Sequence, residues 1–198
     1  MADYPIVTAD EALERLKEGN KRYTSDTEQH PHMDPARRKE LEEGQHPFAI
    51  VLSCADSRVP PELVFDQGLG DLFVIRVAGN VAKDKVIGSI EYAVKFLKAQ
   101  LVVVMGHEAC GAVTAALGNA APPSSHIGAI LENIKPATYL ARTMEGDLLD
   151  NSIRLNTKLV SEQLKDSQPI LAPAISAGEL KIVSAHYNLN GEVEFMDA

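Results

Sequence analysis

The 198-residue chain has no tryptophan, only two cysteines, and no apolar run long enough to cross a membrane. Its 19 Lys and Arg residues against 28 Asp and Glu residues give a net charge of −9, which argues against nucleic acid or an anionic membrane as a partner. The first residues lack the basic start and apolar core of a signal peptide, so we expect a cytoplasmic protein. A reducing compartment favours a metal-binding or catalytic role for the cysteines, with a disulfide between them as the alternative.

What the chain does contain predicts one α/β domain spanning residues 1–198. Apolar residues make up 45% and charged residues 24% of the sequence, which is ordinary for a globular protein. Apolar runs alternate with amphipathic helical patterns, and this β-α-β order predicts a parallel sheet with right-handed crossovers. The capping box Thr8–Glu11 begins a helix within an N-terminal arm, residues 1–34. This helix either packs on its own domain or reaches across to a partner subunit.

Two short segments with reactive side chains follow predicted buried strands. Cys54-Ala55-Asp56-Ser57-Arg58 comes directly after the apolar run 48–52, and 106–111, Gly-His-Glu-Ala-Cys-Gly, follows the run 101–105. Open α/β sheets bind their ligands at the carboxyl ends of their strands. We therefore expect both segments to lie at one edge of the sheet.

Cys54, His107 and Cys110 form a ligand set that suits zinc. Three protein ligands leave the fourth position of a catalytic zinc open, and no further Cys or His stands at the spacing of a closed structural site. The alternative is a pair of buried, inert thiols beside a histidine that caps a helix.

Asp56 and Arg58 are close enough in sequence to form an ion pair within one turn. The pair either only shapes the loop or has a catalytic role. In the second case Arg58 keeps Asp56 ionised and turned from the metal, and Asp56 accepts a hydrogen bond from zinc-bound water. A cysteine phosphatase site is excluded because it requires Cys-x5-Arg, whereas here the spacing is Cys-x3-Arg with an aspartate in the loop.

Cys-x-Asp-Ser-Arg followed by His-x-x-Cys-Gly resembles the β-class carbonic anhydrases. The similarity extends from Leu13-x-x-Leu16-x-x-Gly19-Asn20 through Gly79-Asn80 and Glu91-Tyr92-Ala93 to the last strand. The resemblance implies a mostly parallel central β-sheet flanked by helices, with an N-terminal helical arm and a C-terminal hairpin strand. It also implies one Zn²⁺ per chain, reversible hydration of CO2 to bicarbonate and a proton by zinc-bound hydroxide, and a homodimer or a dimer of dimers.

The resemblance further implies a substrate pocket at a subunit junction. Gln45 matches a glutamine whose amide donates to substrate oxygen, and Phe73 and Tyr92 match apolar pocket residues. Gly111 follows the last ligand, where we expect a side chain to crowd the metal. The residues alone allow simpler roles, a polar loop for Gln45 and core packing for the two aromatic residues.

Two questions about function stay open at this level. Relatives of the family hydrolyse carbonyl sulfide or carbon disulfide with the same zinc motif, and a non-catalytic zinc or thiol sensor would use the same ligands. The proton shuttle is also open among His126, His186 and Tyr187. In one regulated subgroup a tryptophan three residues before the first zinc cysteine helps bind inhibitory bicarbonate. Val51 occupies that position here, so we expect no such pocket around the matching arginine, Arg76.

Overall fold

The protein folds around a five-stranded sheet in a computed structural model that describes residues 6–196. The sheet order is β2-β1-β3-β4-β5, with all neighbours parallel except β4 and β5. The strands are β1 (Ala49–Ser53), β2 (Leu72–Arg76), β3 (Leu101–His107), β4 (Lys181–Tyr187) and β5 (Val193–Phe195). The helices are α1 (Ala9–Thr24), α2 (Pro35–Glu40), α3 (Pro61–Val64), α4 (Asp84–Leu97), α5 (Gly111–Leu117), α6 (Ser125–Ala141), α7 (Leu148–Lys165) and α8 (Leu171–Ser176).

The two central strands are the apolar runs that flank the reactive segments in sequence. Every residue of β1 and β3 is buried, because helices cover both faces of this part of the sheet. At the edge, β2 has no strand on its outer side, and each of its residues is at least partly exposed. The predicted fold class, a mostly parallel sheet flanked by helices with a hairpin at the carboxyl end, is confirmed.

Helix α1 packs against the sheet of its own chain. The predicted capping box is present, with Thr8 accepting from the Glu11 N–H and the Glu11 carboxylate accepting from the Thr8 N–H. Ala12 and Leu16 are fully buried, in one apolar cluster with residues of β1 and β3. One side of the helix therefore packs on its own domain, and a contact of the arm with a partner subunit stays a prediction.

The opposite face of the sheet is covered by α4, α7 and α8. Helix α7 comes especially close to β3, because β3 has a glycine at the crossing point. A Cβ added to Gly106 would lie 2.2 Å from Oγ1 of Thr157. Removal of one side chain thus lets the backbone of the helix approach the strand that carries His107.

Two helices extend beyond their predicted limits. The apolar pattern of the sequence predicts a helix only over about residues 127–134. In the structure helix α6 runs past Pro136 to Ala141. Proline costs a helical hydrogen bond, but Ala137 and Ala141 beyond it are buried, and this packing keeps the last turn helical. Helix α7 begins at Leu148, where the Asp147 side chain caps it, instead of at residue 151. None of the helices in residues 6–196 is long and apolar enough to cross a membrane.

We predict that Gly106→Ala destabilises the fold by about 1–3 kcal/mol, because the added methyl group overlaps the buried Thr157 side chain. Gly88→Ala is the matched control, since a Cβ there would meet nothing within 4 Å. Because Gly88 lies in the exposed part of α4, Gly88→Ala should stabilise the folded protein by about 0.5–1 kcal/mol. Urea unfolding of both variants measures the difference, and equal free energies of unfolding would contradict the close approach of α7.

Candidate metal centre

The parallel pairing of β1 with β3 brings the two reactive segments together. Ser53 is opposite Met105 in the register, so Cys54 leaves its strand beside the end of β3, where His107 lies. Cys110 is the N-cap residue of α5. The ligand atoms of Cys54, His107 and Cys110 all lie within 4.8 Å of one another, and all three residues are buried.

His107 has one ring nitrogen available for a metal. Its Nδ1 lies 2.8 Å from the carbonyl oxygen of Glu108, so Nδ1 carries the proton and donates it. Nε2 is then an acceptor, and it is buried without a hydrogen-bond partner among residues 6–196. A buried nitrogen lone pair costs free energy unless something binds it. A divalent cation between Nε2 and the two sulfurs meets that requirement, so the residues present fit a metal ion.

The two cysteine side chains act on each other directly. The contact with Cys110 lowers the pKa of Cys54, with smaller contributions from His107 and from the Gly79 N–H. The same contact, together with burial, raises the pKa of Cys110. Ligating thiols must be deprotonated, so a cation bound between the two sulfurs would displace their protons.

Asp56 and Arg58 form a closed pair at the rim of this cluster. The Arg58 Nε and Nη2 donate to the two carboxylate oxygens at 2.9 and 2.8 Å, and the Arg58 N–H adds a third bond at 2.9 Å. These bonds, led by the side-chain one, hold the pKa of Asp56 well below its usual range. Arg58 also donates to the carbonyl of Ala109 at 3.3 Å, so it links the loops after β1 and β3. Asp56 Oδ2 lies 4.0 Å from His107 Nε2.

A second arginine braces the same loop and was not assigned this role from the sequence. Arg76 is opposite Ser53 at the end of the β1–β2 ladder. Its Nε donates to the carbonyl of Cys54 at 3.0 Å, and its Nη2 donates to the carbonyl of Asp56. The guanidinium thereby supplies donors where the backbone ladder ends. Since these donors are engaged by the loop, Arg76 acts as a brace, and the absence of a bicarbonate pocket around it stays a prediction.

Of the four residues assigned to the substrate pocket, Gly111 lies beside the cluster because it follows Cys110, whereas Gln45, Phe73 and Tyr92 are not shown in contact with it. Gln45 is exposed before β1, whereas Cys54 follows the other end of that five-residue strand, which spans about 16 Å. Phe73 stacks on Tyr92 with ring centroids 6.4 Å apart, on β2 and α4. A Cβ on Gly111 would meet nothing within 4 Å, so the chain itself gives no steric reason for glycine there.

Two of the three candidate proton shuttles are poorly placed for exchange with solvent. His186 is 1% exposed, and burial lowers its pKa. Tyr187 is also buried, and burial together with a hydrogen bond to Tyr23 raises the pKa of Tyr187 to about 12. His126 is exposed at the start of α6. Of the three candidates, His126 is thus the one whose side chain is open to solvent.

Comparison with known proteins identifies the family. The family model described as carbonic anhydrase matches residues 49–193, from the start of β1 into β5. The chain belongs to the carbonic anhydrase family. It is 41% identical over 187 residues to a carbonic anhydrase of Mycolicibacterium smegmatis, covering 92% of this chain and 91% of that protein. It is 39% identical over 182 residues to carbonic anhydrase 2 of Mycobacterium tuberculosis, covering 90% and 88%.

Solved structures show the β-class fold. The chain superposes on the β-carbonic anhydrase CcaA with a TM-score of 0.75 at 27% identity, covering 93% of this chain and 91% of that one. It superposes on a tetrameric β-carbonic anhydrase of Sordaria macrospora with a TM-score of 0.74 at 25% identity, covering 94% and 96%. The resemblance seen in the two sequence motifs is thereby confirmed over nearly the whole chain.

We predict that Cys54→Ser and Cys110→Ser each lose most of the metal that the wild-type protein carries, since serine keeps the shape but removes the thiolate ligand. His126→Ala is the control, because His126 is an exposed histidine outside the cluster, and it should keep its metal. Elemental analysis of the purified proteins measures the metal per chain. Full occupancy in both cysteine variants would contradict the assignment.

Proposed function

We propose that this chain catalyses the reversible hydration of CO2 to bicarbonate and a proton, with one zinc ion held by Cys54, His107 and Cys110. The observation that carries the metal assignment is the buried Nε2 of His107, which has no hydrogen-bond partner among residues 6–196 and lies beside two sulfurs. Two thiolates and an imidazole form a soft to borderline ligand set, which suits zinc better than magnesium or calcium. Membership of the carbonic anhydrase family supports the reaction.

A bound zinc ion supplies Lewis acidity, which makes a water molecule available as a nucleophile near neutral pH. Asp56 then has the task of orienting this water. Its carboxylate stays ionised because Arg58 holds both oxygens, so it can only accept a hydrogen bond. A water molecule that donated a hydrogen bond to Asp56 would have its lone pair held in a defined direction, which is the positioning that attack on CO2 needs.

Arg58 and Arg76 keep this carboxylate in place from two sides. Arg58 binds the Asp56 side chain, and Arg76 binds the Asp56 backbone carbonyl. Together the two arginines hold both the side chain and the backbone of Asp56 beside the metal ligands.

The substrate pocket of this proposal requires a second copy of the chain. Phe73, Tyr92 and Phe96 form an aromatic strip along β2 and α4, in which Tyr92 is 49% and Phe96 69% exposed in the single chain. An exposed strip of this kind beside an open strand edge is typical of a surface that another subunit covers. A partner seated there would bring its own Gln45 towards this chain's metal centre. The tetrameric relative of Sordaria macrospora supports self-association.

CO2 hydration is favoured over the other functions that the same metal ligands would allow. The matching family and both mycobacterial relatives are named as carbonic anhydrases, which supports CO2 over carbonyl sulfide or carbon disulfide and supports an enzyme over a metal sensor. Stopped-flow CO2 hydration, measured beside carbonyl sulfide hydrolysis with the same zinc-loaded preparation, tests this directly. Turnover of carbonyl sulfide alone, or of neither substrate, would overturn the proposal.

We predict that Asp56→Asn keeps its zinc and loses about 10–100-fold in kcat for CO2 hydration, because an amide can no longer be held as an ionised acceptor by Arg58. Asp150→Asn is a matched control. Asp150 accepts from Arg154 Nε at 2.8 Å in a similar aspartate–arginine pair that lies outside the metal-ligand cluster. Wild-type turnover in Asp56→Asn would contradict a catalytic role and would mean that the Asp56–Arg58 ion pair only shapes the loop.

We predict that Gln45→Ala also lowers CO2 hydration, by on the order of 100-fold, if its amide donates to the reacting oxygen. A shared site adds a second expectation. When Gln45→Ala and Asp56→Asn chains are expressed together and pair at random, about half of the dimers are mixed. Each mixed dimer has one of its two sites with both residues intact, so about a quarter of all sites should be active. Separately purified variants are the control. Failure to regain activity in verified mixed dimers would contradict a site built from two subunits.

A further inference from the structure

The sulfur of Cys54 accepts a hydrogen bond from a glycine in another loop. The Gly79 N–H donates to Cys54 Sγ at 3.3 Å in a buried position. Gly79 lies in the short 3-10 turn of residues 78–80 after β2 and has φ +70°, a left-handed conformation that favours glycine. A Cβ there would also lie 2.6 Å from Cδ1 of Ile134. The N–H that donates to the sulfur thus belongs to a residue with no side chain to hold it in place.

An asparagine on α7 holds this glycine. Asn156 is 2% exposed, and its Nδ2 donates to the Gly79 carbonyl at 2.9 Å. The helix reaches this far because Gly106 leaves room for Thr157, the next residue of α7. Two turns further on, Gln163 donates to the carbonyl of Ala82 at 3.1 Å, so two amides of α7 bind the same segment. Of the two, Asn156 binds the residue that contacts the metal ligand.

We propose that Asn156 is a positioning residue for Cys54, acting through Gly79. The inference rests on the proposed metal site and concerns how that site is tuned. A glycine with left-handed φ has few conformational restraints of its own, so the bond to its carbonyl keeps its N–H directed at the sulfur. Hydrogen bonds to a ligating thiolate reduce the charge that the sulfur donates to the metal, and outer-shell partners of this kind adjust metal affinity and electronic properties.

A purely structural role is the alternative. A buried carbonyl needs a donor, and Asn156 satisfies that need whether or not Gly79 meets a sulfur. Loss of stability would follow from either role and therefore does not separate them. A spectroscopic signal from the metal–sulfur bond does, since it changes only if the sulfur itself is affected.

Cobalt(II) substituted for zinc provides this signal through its thiolate-to-metal charge-transfer band. In Asn156→Leu, which has a similar shape and no donor, we expect the band to move to longer wavelength because the sulfur loses its hydrogen bond. Zinc affinity at pH 7, measured by competition with a chelator, should fall about 10-fold, because Cys54 is no longer held in position by the Gly79 N–H and this loss outweighs the stronger donation by the sulfur. Asn156→Ser leaves room for water at the Gly79 carbonyl and carries the same test if the leucine variant does not fold.

Two control variants isolate the effect. Gln163→Leu removes the other amide bond from α7 to the same segment, and Asn20→Ser removes a buried amide that binds the carbonyls of Val64 and Gly191. Both should keep the wild-type band. An unchanged band in the Asn156 variants, or an equal shift in the controls, would overturn the inference while leaving the metal site intact. Absence of any thiolate band in the wild-type protein would instead overturn the proposed ligand set, and the inference with it.

Discussion

The parallel pairing of β1 with β3 is the contact on which the site depends. These two strands are wholly buried and lie side by side in the middle of the sheet. Their register places Ser53 beside Met105, so the chain leaves both strands at the same edge. A shift of the pairing by one residue would turn the core side chains to the other face and would move Cys54 away from His107. The packing that stabilises the fold therefore also sets the spacing of the ligands.

Around this pairing, the polar groups of the site are held mostly by backbone contacts from distant segments. The carbonyl of Glu108 orients the ring of His107, and the N–H of Gly79 meets the sulfur of Cys54. Arg58 binds the Asp56 carboxylate and the Ala109 carbonyl, and Arg76 binds the carbonyls of Cys54 and Asp56. Groups fixed in advance need not reorganise during a reaction, which is the main way in which a rigid site lowers a barrier. The short loops after β1 and β3 thus behave as parts of one frame.

Helix α1 and the exposed aromatic strip differ in how they are packed within the chain. Helix α1 contributes fully buried residues to the core of its own chain, so its removal would damage the fold and could not report on assembly alone. The exposed aromatic strip of Phe73, Tyr92 and Phe96 lies instead beside the open edge of β2. Gln45 precedes β1 and Cys54 follows its other end, so the strand separates the two residues within one chain.

The sequence by itself determined the buried strands, the parallel order, and the pairing of Cys54 with His107 and Cys110. Apolar runs that end in reactive residues are local signals, and parallel strands put their carboxyl ends at one edge. Only the tertiary structure decided what supports those ligands. Neither the Arg76 brace nor the contact of Asn156 with Gly79 leaves a local pattern, because each joins segments that are far apart in the chain. The continuation of α6 past Pro136 was likewise decided by packing, since burial of Ala137 and Ala141 outweighs a missing hydrogen bond.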